Sequence, residues 1–391
     1  MMSGFDDITP RRGTGSYKWD SSTDPQVLPL WVADMDFPTA PAVIDALRRR
    51  VDHGIFGYTL VGQPYYDALT HWFESRHGYS FTRERVIYTS GVVPALSAII
   101  KALVPPGAGV VVQTPVYNCF FSSIRNNGCN ILDAPLRRRG IDAHTFTYDF
   151  DYEALERECS RPEARMLLLC NPHNPAGRRW TRPELQKVAD IAHRTGVRVV
   201  SDEIHCELTA PGTAYTPYGT VDPGAIVCLS PSKAFNTAGL QIANIVCPDG
   251  DTRAAIDRAI NINEVCDVNP FGPVALMASY SPEGEKWLDS LRDYLWDNWR
   301  FTRALLAERL PQCPVALLEA TYLVWVDITA LHAHSETVEE ALAEEAKVWL
   351  NAGSMYGQDH YLRINIATPR AILAEGLKRF LDWTDARLKQ S

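Results

Sequence analysis

From residue 86 onward the chain alternates short apolar runs with helical stretches, and this alternation restricts the fold more than any other feature. The runs at 86–89, 110–113, 130–134, 166–170, 197–201, 226–230 and 242–247 read as strands. Several are continuously apolar rather than alternating, so both of their faces must be covered. Between them, 93–103, 117–126 and 183–195 have helical character and supply that cover. The expected class is α/β, with a mostly parallel, seven-stranded central sheet.

The texture changes after about residue 285. A long amphipathic stretch covers 285–309, and two β-like pieces come after it at 317–327 and 361–366, with a helix between them and another at the end. This reads as a smaller α+β unit. The predicted division is a large domain over 46–284, and an N-terminal arm plus small domain over 1–45 and 285–391. Residues 1–30 read as irregular, and 41–51 as a helix with a proline near its start. A length of 391 residues with 46% hydrophobic content suits two such units.

Charge and cysteine usage exclude several classes. The 38 basic and 47 acidic residues give a net charge of −9, opposite to what a nucleic-acid binder shows. The basic runs 48–50 and 137–139 are short and read as solvated helix ends or loops. Nine scattered cysteines without a C-x-x-C spacing argue against a disulfide framework and for a reducing cytoplasm. Met1 to Pro10 has no apolar leader core, and no apolar stretch approaches the ~20 residues that span a bilayer.

Ligands of an open parallel sheet sit at the carboxyl ends of its strands. Four polar clusters fall there: Ser90-Gly91-Val92-Val93, Asn171-Pro-His-Asn174-Pro-Ala-Gly177, Ser201-Asp202-Glu-Ile-His205 and Ser230-Pro-Ser232-Lys233. Each alone is weak; together they would converge on one crevice. Ser230-x-x-Lys233 also satisfies the pattern of penicillin-recognising acyl enzymes, but a Lys-Thr-Gly partner is absent. No Gly-x-Ser-x-Gly elbow, Walker loop or Gly-x-Gly-x-x-Gly occurs either. Asp202, His205 and Glu207 lack further ligands at metal-site spacing, so no metal is expected.

The order Asn-Pro-x-Gly, Asp-x-x-His, Ser-x-x-Lys resembles fold type I pyridoxal 5′-phosphate (PLP) enzymes, the aspartate aminotransferase superfamily. Trp31-Val-Ala-Asp-Met-Asp-Phe37, Phe56-Gly-Tyr58, Ser201-Asp-Glu-Ile-His205 and Ser232-Lys-Ala-Phe-Asn236 narrow the resemblance to its cystathionine β-lyase and cystine C–S lyase branch. It extends from about Trp19 to Phe380.

The resemblance implies a role for each position. Lys233 would anchor PLP as a Schiff base and then serve as the base at the substrate Cα; burial and nearby cations let a lysine do so. Asp202 would pair with the pyridine nitrogen and keep the ring an electron sink. Asn174 and His205 would lie near the cofactor's 3-oxygen, Tyr117 would stack on its ring, and the phosphate would take Gly91, Val92 and Val93 at a helix start with Ser230 and Ser232. Gln241 stands where aminotransferases usually carry an arginine for that phosphate. Tyr58 would reach the phosphate from a neighbouring subunit, which implies a homodimer with sites at the interface. Arg363 would grip the substrate α-carboxylate, with Asn174, Tyr117 and Ala33 beside it. Asp34 and Asp36 are open between pocket entrance and turn, Arg370 reads as structural, and 261–270 carries no assignable role.

The implied reaction is α,β-elimination from a small amino acid such as cystathionine, cystine or another S-substituted cysteine, giving a thiol, pyruvate and ammonia. The alternatives are a PLP-dependent aminotransferase and a PLP-fold protein that acts by contact with a regulatory partner.

Overall fold

The computed structural model describes residues 4–262, 264 and 267–389. Three residues of the unassigned 261–270 stretch therefore lie outside the described residues. Seven strands form the central sheet: β1 (Val86–Thr89), β2 (Gly109–Val112), β3 (Asn130–Asp133), β4 (Ala164–Cys170), β5 (Arg198–Asp202), β6 (Ile226–Leu229) and β7 (Ala243–Val246). Their spatial order is β1-β7-β6-β5-β4-β2-β3. Only β7 runs antiparallel to its neighbours, so the other six point the same way.

Continuous burial of β2, of β6 and of β4 from Met166 onward explains their unbroken apolar runs. Val110, Leu167, Leu168 and Ile226 are fully buried, each worth about 1.5–3 kcal/mol of transfer free energy. The helix Val92–Leu103 turns Val92, Ala95, Leu96, Ile99 and Ile100 to one face of this sheet at i, i+3, i+4 spacing. The helix Arg182–Thr195 covers the other face, opened by a capping box of Thr181 and Glu184.

A second sheet of six strands carries the C-terminal part. Its order is Asn351–Ala352, Tyr361–Asn365, Leu323–Asp327, Val315–Ala316, Thr145–Asp149 and Arg137–Gly140. Two sequence expectations change here. Residues 137–139 are an edge strand, not a loop or helix end. Arg137 pairs with Asp151, Arg138 with Asp327 and Arg139 with Asp149. A charged edge of this kind resists further strand pairing. The β piece at 317–327 is also shorter than expected. Thr321 adopts φ 72°, and residues 317–322 leave the sheet to bind two loops. Glu319 and Ala320 donate to Gly177 O, and Thr321 donates to Leu208 O. Gly177 sits at φ 67°, where any side chain is strained, and an added Cβ would also crowd Leu318 Cδ1 at 2.9 Å.

The helix Pro282–Arg309 is capped by Ser281, whose hydroxyl accepts from Gly284 N. Its Asn298 donates to the carbonyls of Ile366 and Thr368 at 2.9 and 3.0 Å. Arg370 bonds Asn298 Oδ1 at 2.7 Å and lies over Phe301, which makes it structural as expected.

Candidate active site

Because six strands share a direction, the carboxyl ends of β1, β2, β4, β5 and β6 meet at one edge of the sheet. A small, largely enclosed pocket opens there, at the strand ends where open parallel sheets bind their ligands. Lys233, Asp202, His205, Asn174, Tyr117, Val92, Val93 and Ala33 line it, joined by Cys170 and Ile204. The last two were not singled out from sequence, although Cys170 ends β4 and Ile204 lies inside Asp-x-x-His.

Lys233 lies just past β6 and donates its Nζ to Ala33 O at 2.7 Å. Burial, then the charge of Arg363, brings its pKa down to about 8, against the pull of Asp34, Asp202 and Cys119. Asp202 ends β5 and accepts from the N–H of Ile204 at 3.1 Å. Burial raises its pKa to about 6, although that bond and Lys233 favour the carboxylate. His205 is buried, and burial with the charges of Lys233 and Arg363 holds its imidazole neutral. Its Nδ1 has no hydrogen-bond partner. Tyr117 precedes the helix Asn118–Asn126 and remains a phenol, chiefly through burial.

Arg363 lies on the strand Tyr361–Asn365 of the second sheet. Its Nη1 donates to Asn174 Oδ1 at 3.2 Å and its Nη2 to Trp31 O at 3.0 Å. Its Nε is buried without a partner, and the guanidinium stacks 4.7 Å above Tyr356.

Residues 31–37 form a strap across the cavity. From the large sheet's side, Asn236 accepts from Met35 N at 3.0 Å and donates to the carbonyls of Met35 and Phe37 at 2.9 Å each. From the second sheet, Asn365 donates to Val32 O and Asp34 O at 2.5 and 2.6 Å, and Asn351 to Trp31 O at 2.9 Å. Asp34 and Asp36 are not part of the cavity lining. Arg11 reaches both at 2.7 Å, and Lys18, fully buried, reaches Asp36 at 2.8 Å. These pairs tie the N-terminal arm to the strap. Glu207 likewise binds Trp72, Arg76 and His77 in the core, apart from the cavity.

The remaining candidates sit outside the lining. Gly91 caps the helix Val92–Leu103 with no side-chain bond to its first turn, leaving N–H groups at that end for an anion. Ser230 Oγ donates to Ile242 O at 2.7 Å and accepts from Ser232 N at 3.1 Å. Gln241 is exposed. Tyr58 is 99% exposed, in a run with exposed Ile55, Phe56 and Leu60.

This donor set fits PLP. A buried carboxylate, an open helix N-terminus with two nearby serines, a ring at Tyr117 and a buried amine match the ligand's pyridine nitrogen, phosphate, face and aldehyde.

A model of the aminotransferase class I and II family matches residues 25–380. The chain is 38% identical to cystathionine beta-lyase PatB of Bacillus subtilis (strain 168), over 96% of this chain and 98% of that protein. It is 32% identical to protein MalY of Escherichia coli (strain K12), covering 96% and 97%. The solved structure of cystalysin from Treponema denticola, which contains a pyridoxal 5′-phosphate cofactor, superposes with a TM-score of 0.92 at 31% identity, covering all of both chains.

Proposed function

Because this chain belongs to the class I and II aminotransferase family and is a PLP-dependent enzyme, we propose that it is a carbon–sulfur β-lyase acting on S-substituted cysteines, with cystathionine and cystine as the first substrates to test. One observation carries the reading. Lys233, Asp202 and Asn174 line one cavity, with Arg363 bonded to Asn174 and close enough to act on the Lys233 amine by its charge, in a chain whose relatives are named cystathionine beta-lyases.

When bound, PLP supplies an electron sink for the charge left at the substrate Cα. The protein's own groups do the rest. Arg363 takes the α-carboxylate, with Asn174 holding the guanidinium in place. Lys233 is the covalent attachment point and, once displaced, its neutral amine takes the Cα proton. Its pKa of about 8 keeps a usable fraction neutral near physiological pH. The Cβ–S bond then breaks, the sulfur leaves with the bonding pair as a thiolate, and hydrolysis of the remainder gives pyruvate and ammonia. Asp202 would present a carboxylate to the pyridine nitrogen, and the N–H groups of Val92 and Val93 with the Ser232 hydroxyl would present donors to the phosphate, whereas Ser230, its own O–H spent on Ile242 O, would hold Ser232 in place. His205, neutral and with its Nδ1 short of a partner, would be available to the cofactor's 3-oxygen.

A homodimer completes the site in this reading. The exposed run of Ile55, Phe56, Tyr58 and Leu60 is a surface a second subunit would cover, and it brings Tyr58 to the partner's phosphate. The proposed division is a large domain at 46–284 and a small one formed by 1–45 and 285–391, with the strands Arg137–Gly140 and Thr145–Asp149 of the first added to the sheet of the second. Eight free cysteines among the described residues suit a cytoplasmic location. No helix among the described residues is long and apolar enough to cross a membrane.

The test is to incubate the enzyme with cystathionine or cystine and no keto acid. The proposal expects pyruvate and new sulfhydryl product in equal amounts. Turnover seen only after a keto acid is added would replace the lyase with an aminotransferase.

A further inference from the structure

The Ala33 carbonyl receives two donors. Lys233 Nζ approaches at 2.7 Å and the Tyr322 hydroxyl at 3.0 Å. A carbonyl oxygen has two lone pairs, so its capacity is filled. The oxygen is fixed in space, because Asn365 holds the carbonyls on either side of it, at Val32 and Asp34, and Asn236 holds Met35. Tyr322 is completely buried and comes directly after Thr321, whose φ of 72° turns the chain into the strand Leu323–Asp327. Its ring lies edge-on to His205 at 6.2 Å.

We propose that Tyr322 is a positioning residue for Lys233: by sharing the Ala33 carbonyl it fixes where the lysine amine rests when not covalently engaged, and weakens that carbonyl's grip on the ammonium form. An acceptor already bonded to an O–H has less electron density to offer a second donor. The other charged and titratable groups around this amine are Arg363 from the second sheet, Asp34 from the strap, Asp202 and His205 from the end of β5, and Cys119 from the helix Asn118–Asn126. Arg363 disfavours the ammonium, whereas Asp34, Asp202 and Cys119 favour it. Tyr322 adds to the first side without carrying a charge. The strap carbonyl thus holds the amine in place without locking a proton onto it, which suits a group that must be neutral to act as nucleophile and base.

The inference rests on Lys233 being the cofactor-bearing lysine, and the experiment separates the two. Full-length wild-type and Tyr322→Phe chains are depleted of cofactor and offered PLP across a range of pH, and capture is monitored by visible absorbance. In parallel, trace acetylation of Lys233 is quantified by mass spectrometry over the same range, a readout that needs no cofactor. The expected result is a midpoint moved upward by about half a pH unit or more in both assays. That corresponds to about threefold slower capture at neutral pH with the same alkaline plateau. An unchanged or lowered midpoint overturns the inference, including the case of a reduced plateau and melting temperature at constant midpoint, which marks a purely structural role. Wild-type protein that captures no PLP on Lys233 would instead sink the lysine assignment, while the acetylation profile would still decide the role of Tyr322.

Discussion

Replacing Lys233 by methionine should stabilise the cofactor-depleted chain, and the pH dependence of that gain identifies its cause. The lysine pKa falls from 10.5 to about 8, first through burial and then through Arg363. At roughly 1.4 kcal/mol per pKa unit, the fold gives up about 3 kcal/mol at neutral pH to hold this ammonium. Methionine fills similar volume without charge. It forfeits the bond to Ala33 O, worth about 1 kcal/mol, and the cavity leaves the lysine partly solvated, so a net gain of about 2 kcal/mol is expected. Because folding depresses this pKa, the lysine's stability contribution is complete above about 10.5 and is lost as pH falls through about 8. The advantage of Lys233→Met should therefore be largest below pH 8, shrink as the pH rises, and reverse to about 1 kcal/mol in favour of wild type near 10.5, where only the forfeited bond to Ala33 O remains. Urea unfolding midpoints of both cofactor-depleted chains, measured at intervals from pH 7 to 10, provide the assay. A variant less stable than wild type at pH 7, or an advantage that does not change with pH, would refute the reasoning.

The same geometry sets other outcomes. Arg363→Lys keeps the charge but loses the fork, so kcat/KM should fall about ten- to a hundredfold, mostly through KM, in steady-state assays with an S-substituted cysteine. Asp202→Asn should still bind PLP, seen as retained visible absorbance, yet lose at least about a hundredfold in kcat because the ring nitrogen lacks its carboxylate. If the partner supplies Tyr58, mixing inactive Lys233→Ala with weakly active Tyr58→Phe and allowing subunits to exchange should restore activity, because hybrid dimers contain one intact site; no recovery after confirmed exchange would place Tyr58 elsewhere.

The central sheet and most of the pocket lining were legible because both depend on local signals. Buried parallel strands are apolar throughout, and the residues just past their carboxyl ends face the crevice; Asn174, Asp202 and Lys233 all sit at or beyond such an end. Contacts across long sequence separations were not legible. Ala33 meets Lys233 across 200 positions and Tyr322 across 289, and nothing near Tyr322 marks it as different from any core aromatic. The roles of Asp34 and Asp36 depend on Arg11 and Lys18 folding back onto them, which an irregular arm does not announce. The arginine strand at 137–139 was hidden because its partners, Asp149, Asp151 and Asp327, become neighbours only once the second sheet forms.

The account depends most on Lys233 as the group that holds the cofactor. Borohydride reduction of the PLP-loaded enzyme and subsequent peptide mapping test this directly. The account predicts a single pyridoxyl label on the peptide containing Ser232-Lys233-Ala234. A label on any other lysine, or full activity in Lys233→Ala, would contradict it.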